Sequence, residues 1–201
     1  MAIFTFVHVD HPAGLRLLDL LGVEIDLTRC VDMCQALQTR QHGRVEMDAL
    51  AVAALAVYGR VFLGGVRSQA KIPVEILLES AEQEFHGKIL HARSKHAVHS
   101  INDMETARLR VWLNPVERGG RKVNNVNADA VTLVTLGNGD YQRLQALCTK
   151  LLRWVSEQKQ LEESQLKVII ERDFPLDDLY ARQADTATTG NLDSVAKGRK
   201  R

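Results

Sequence analysis

The chain is poor in aromatic residues, which make up 5% of its 201 positions, so a core has to be assembled mainly from Leu, Val, Ala and Ile. It has no excess of either charge: Lys and Arg number 26 against 25 Asp and Glu. A global basic field is thereby excluded, and contact with nucleic acid has to come from a local patch or from an assembled dimer. Cysteines are few and odd in number (Cys30, Cys34 and Cys148), which argues against a disulfide framework and fits a reducing cytoplasm. The longest apolar run, Ala49 to Val57, is too short to span a bilayer. The first residues lack the basic region and apolar stretch of a signal peptide, so neither export nor a membrane is expected. There is no internal repeat and no phosphate-binding glycine fingerprint. His8 and His11 lack a third ligand nearby, and no metal or cofactor is expected.

What is present is 45% hydrophobic and mostly helical in period. Ala2 to Val9 reads as a strand that ends in the turn Asp10-His11-Pro12-Ala13-Gly14. Leu15 to Leu21 reads as a short helix stopped by Gly22. A second helix, capped by Asp26 or Thr28, runs to about Gln38. Leu27, Val31, Cys34 and Leu37 form its apolar stripe, with Cys30 and Met33, and the cysteines read as small buried hydrophobes. Met47 to Leu63 is apolar on nearly every side and is expected to be the central helix. From Pro73 or Val74 a further helix continues to Val98, with Leu78, Ala81, Phe85, Ile89, Ala92 and His96 on one seam. Alternation then marks a strand within Met104 to Val116 and another over Ala130 to Leu136, separated by the basic excursion Arg118 to Asn127. After Gly137-Asn138-Gly139, with Asp140 as N-cap, Tyr141, Leu144, Leu147, Leu151 and Val155 trace an amphipathic helix to about Glu163. Leu166 to Ile170 either extends it or forms a short strand, and Phe174-Pro175-Leu176 with Leu179-Tyr180 reads as a docking segment. Residues 183–201 have the composition of a disordered tail ending in Lys197-Gly198-Arg199-Lys200-Arg201.

The expected fold is mainly α: a bundle of about four long helices with a β-hairpin near 106–136 inserted before the last, in one domain over 1–182.

The groups able to hold a phosphate or move a proton concentrate in Arg93-Ser94-Lys95-His96-Ala97-Val98-His99-Ser100. A continued helix would set Arg93 and His99 roughly 120° apart, so unwinding near His99-Ser100 or a second subunit would bring them onto one phosphate. Ser100-Ile101-Asn102-Asp103 has the side chains that compete with helical hydrogen bonding.

Arg93, five residues, then His99 at the end of a helix resembles the HEPN superfamily, whose members carry an arginine and a histidine separated by four to six residues. Ser94 stands where that family often has Asn, Asp or His. The resemblance covers about residues 24 to 163 and implies a metal-independent endoribonuclease of toxin–antitoxin or phage-defence type, working as a homodimer, with RNA as target and an antitoxin as a further partner.

The chemistry suits those residue types. RNA carries its own nucleophile in the 2′-hydroxyl. Histidine serves as base or acid near neutrality, and arginine presents a permanently charged fork to phosphate oxygens. Arg93, His99 and His96 are therefore the candidate catalytic groups, with Lys95, Ser94, Ser100, Arg121 and Lys122 as RNA contacts. Two bland readings stand beside this one. Arg93 can pair with Glu82, Glu84 or Glu105, or cap carbonyls at the helix end, and His96 can be a hydrogen-bonded core residue. A non-catalytic HEPN-like module that binds RNA or protein is the alternative from another functional class.

Overall fold

The computed structural model describes residues 9–39, 41, 43–63, 69–96, 105–113, 123–132 and 136–181. The expected strand at 2–9 (Val9 apart) and the tail over 183–201 lie outside them.

After a 3₁₀ turn at Pro12–Gly14, helix α1 spans Leu15–Thr39 without interruption. Gly22 does not stop it: a glycine inside a helix costs about 1 kcal/mol, and burial of Leu20, Val23 and Leu27 around it outweighs that. α2 spans Arg44–Phe62, α3 is the single turn Val74–Leu77, and α4 spans Ser80–His96. The expected single helix from Pro73 onward is thus broken at Leu78 and Glu79, where Leu78 turns to extended backbone.

The start of α4 has a local cause. The Glu82 carboxylate accepts the Glu79 N–H at 2.8 Å, satisfying one of the donors that a helix start leaves open. The same device opens α2, where Glu46 accepts from the Gly43 N–H at 3.0 Å. It also opens α5 (Asn138–Asp173), where Asp140 accepts from the Gly137 N–H at 3.2 Å. Asp140 therefore lies in the first turn and Gly137 takes the cap position expected for it. At 36 residues α5 is about 54 Å long, absorbing Leu166 to Ile170, and the segment after it forms the short helix α6 (Leu176–Ala181).

The core lies among α1, α2, α4 and α5. α1 packs between α2 and α5, and α2 packs between α1 and α4, so the middle of the bundle is shared rather than held by α2 alone. α1 and α5 run antiparallel, as three polar pairs along them show. Gln38 donates to Gln145 at 2.7 Å, Lys159 meets Glu24 at 2.5 Å, and Arg16 bonds Glu162. Leu20, Leu27, Leu37, Leu144, Leu151 and Val155 are fully buried between them. On α4, Phe85, Ile89 and Ala92 are buried, but Ala81 is exposed and His86 takes a place on the buried face.

Strands β1 (Glu105–Leu113) and β2 (Val123–Thr132) form an antiparallel hairpin. β2 begins seven residues earlier than alternation alone implies, so Val123 to Asn127 belong to the strand and not to the excursion. An irregularity between Trp112 and Leu113 pairs Leu113 with Val123 and leaves Asn124 as an extra residue.

Candidate functional site

The last two turns of α4 lie against the C-terminal half of α2, and Gly59 permits the close fit. A β-carbon on Gly59 would stand 3.0 Å from Arg93 Cγ, 3.1 Å from Cδ and 3.2 Å from Nε. The stem of Arg93 therefore runs along the bare backbone of α2, and its Nε is buried without a hydrogen-bond partner. Arg93 and the following Ser94 are half-buried.

Two turns earlier on α4, His86 occupies the same interface. Its Nδ1 lies 2.7 Å from the hydroxyl of Tyr58, one residue before Gly59, and Tyr58 is wholly buried. Phe62 closes the pair with its ring edge-on to His86 at 4.5 Å and tilted against Tyr58 at 5.0 Å. Burial pushes the His86 imidazole below its ordinary range, only partly offset by the Glu75 carboxylate. Burial likewise pushes the Tyr58 phenol well above its ordinary range. A neutral phenol and a neutral imidazole thus share one proton-bearing contact behind Arg93.

Two of the three acidic residues that could pair with Arg93 are otherwise engaged, and the side chain of the third, Glu105, lies outside the described residues. Glu82 is held by Lys150 at 2.6 Å, and its carboxyl is lowered chiefly by that hydrogen bond. Glu84 is held by Lys88, also at 2.6 Å. Among the described residues no carboxylate pairs with Arg93. Arg143 lies over the Phe85 ring at 4.1 Å, which keeps the start of α4 seated on α5.

Lys95 and His96 are the last two residues of α4. His99 and Ser100 lie outside the described residues, as do Arg121 and Lys122. Of the expected site, the described residues therefore place Arg93 and Ser94 in full. Tyr58, Gly59, Phe62 and His86 are the neighbours that sequence reasoning missed. A signal for them existed: a glycine inside a long apolar helix marks close approach, and His86 precedes Arg93 by seven residues, which is two helical turns.

A second polar feature lies on the α1 side of α2. Asp26 is completely buried, and its Oδ1 stands 3.5 Å from the half-exposed Arg60 guanidinium. Asp19, also buried, accepts the Gln69 N–H at 3.0 Å. Among the described residues no group of three or more His, Cys, Asp or Glu is placed to hold a metal ion, and no helix is long and apolar enough to cross a membrane.

Comparison of the chain with protein-family models, with curated proteins and with solved structures finds no match.

Proposed function

We propose that the protein is a metal-independent endoribonuclease of the HEPN type, acting on RNA as a toxin or defence protein. One observation supports this reading more than any other: Arg93 is positioned by Gly59, and its guanidinium is claimed by no carboxylate among the described residues. An arginine spent on structure is normally met by an acid or by backbone carbonyls; one left uncompensated is suited to an anion that arrives from outside.

In the proposed reaction His99 takes the proton of the 2′-hydroxyl, and the 2′-oxygen forms a bond to phosphorus. The bond from phosphorus to the 5′-oxygen breaks, and that oxygen receives a proton from His96 or from the His99 of a second copy. Arg93 balances the charge that builds on the non-bridging oxygens. The products are a 2′,3′-cyclic phosphate and a 5′-hydroxyl. A homodimer supplies two such motifs, and an antitoxin is the expected regulator.

The purified full chain should cut single-stranded RNA in the presence of EDTA and leave cyclic phosphate ends. Arg93→Ala and His99→Ala should each slow cleavage by about a hundredfold or more while keeping the helical circular dichroism. Cleavage that survives both substitutions would overturn the assignment. Salt-sensitive RNA binding by the wild type without any cleavage would instead favour the non-catalytic module.

A further inference from the structure

Helix α1 is apolar on two sides. One side is the core stripe through Leu20, Leu27, Cys30 and Cys34. On the other, Leu15, Leu18, Leu21 and Ile25 stand in solvent, at 44%, 59%, 42% and 42% exposure. At a helical step of 100° per residue these four, with Gly22 among them, fall within an arc of about 120°. None of the four belongs to the buried core or to the partly buried side chains packed on it. The charged residues of this stretch are all turned elsewhere: Arg16 to Glu162, Glu24 to Lys159, and Asp19 to the Gln69 N–H. A helix face left in water is ordinarily polar, so an uncharged stripe of this length marks a surface that something covers.

The extent of the patch says what. Beyond Ile25 the same stripe continues as Thr28, Arg29 and Asp32, all exposed. A second copy laid helix against helix would need the apolar seam to run on, and this one stops. From Leu15 to Ile25 the patch is about 15 Å long. It occupies the end of α1 where the chain enters. His11, four residues before Leu15, is tied there to Asp173 at 3.3 Å, with its ring edge-on to Phe174. Residues 1–8 precede that anchor and lie outside the described residues. They contain no Asp, Glu, Lys or Arg, and they include Ile3, Phe4, Phe6 and Val7. Eight residues reach at most about 26–29 Å when extended. That length covers the patch but not the whole of the 25-residue α1, which is about 37 Å long. Uncharged face and uncharged segment thus match in chemistry, in position and in length.

We propose that residues 1–8 fold back along α1 and cover the face formed by Leu15, Leu18, Leu21 and Ile25 of the same chain, with Phe4 and Phe6 supplying most of the apolar contact. The cover depends neither on Arg93 nor on any action on RNA.

The test is limited proteolysis of the full chain by chymotrypsin, which cuts after Phe4 and Phe6, followed by intact mass. In the wild type these cuts should be slow. In the double variant Leu18→Ser with Ile25→Ser they should be about tenfold faster or more, because the segment has lost its seat, while the helical circular dichroism is kept. Val45→Ser, at an equally apolar and more exposed position on α2, should leave the rate unchanged. Wild-type rates in the double variant, or an equal acceleration by Val45→Ser, would overturn the proposal. Protection that fades as the protein is diluted would overturn it in favour of a second copy on this face.

Discussion

Arg93 lies across Gly59 so closely that a single methyl group between them would have to displace the arginine. This separates two properties that are usually entangled. Gly59→Ala should gain up to about 1 kcal/mol of helix propensity in α2 and lose a similar amount to crowding, leaving stability nearly unchanged. The guanidinium, however, shifts by a few tenths of an ångström. RNA cleavage should therefore fall by about tenfold or more at an unaltered melting temperature. Full activity in a stable Gly59→Ala protein would show that the position of Arg93 does not matter.

The Tyr58–His86 contact predicts a pH effect on stability. His86 is held below its ordinary range by burial, so the unfolded chain takes up a proton at this site before the folded chain does. Between the two titration points the unfolded state binds more protons, and stability falls as the pH drops below about 6.5. Urea midpoints measured from pH 8 to pH 5 should decline in the wild type. In His86→Gln the decline should be shallower. Tyr58→Phe should cost about 1–3 kcal/mol at pH 8 because it strips the partner from a buried ring nitrogen. Parallel pH profiles for wild type and His86→Gln would refute the assignment.

Part of this arrangement was legible in the residues alone. Helical periodicity found the stripe of α1 through Leu27, Cys30, Cys34 and Leu37, and the stripe of α5 from Tyr141 to Val155, because each buries one broad face. It misplaced boundaries where a neighbour decided the matter. Gly22 reads as a stop, yet α1 is clamped on both sides by α2 and α5, and tertiary packing overrides the local preference. Val123 to Asn127 reads as loop because three of its five residues are Asn, but Val123 to Val126 are exposed whichever way they point, so no apolar alternation was needed there.

At the candidate site the motif drew notice to Arg93, and periodicity placed it beside the seam of α4. It did not identify His86 as a seam residue, since an imidazole on an apolar face becomes acceptable only once Tyr58 supplies a partner from another helix. That partner lies 28 residues away and carries no spacing signal.

Asp26 and Arg60 offer an asymmetric test. Arg60→Ala removes a cation that stands 3.5 Å from a fully buried carboxylate and should destabilise the fold by about 1–2 kcal/mol. Removing both partners, in Asp26→Ala with Arg60→Ala, should cost less than the sum of the single changes, measured by chemical denaturation. Strict additivity would mean that the 3.5 Å approach contributes no coupling.

The three cysteines make the last prediction. All are fully buried, Cys30 and Cys34 on successive turns of α1 and Cys148 across from them on α5. Hydrogen bonding with Cys148 chiefly pushes the Cys30 thiol up, offset in part by Cys34 and reinforced by burial, and hydrogen bonding with Cys30 and then burial push Cys34 up. A thiol both shielded and held protonated is a poor nucleophile. In the native protein, Ellman's reagent should modify Cys30 and Cys34 on the order of a thousandfold more slowly than an unfolded control, with all three sulfurs titrating in denaturant. Native labelling should also accelerate with urea in step with loss of helical signal, because the α1–α5 interface has to open first. Fast labelling of folded protein, with the helices intact, would mean that this interface breathes locally and that the core is looser than its packing implies.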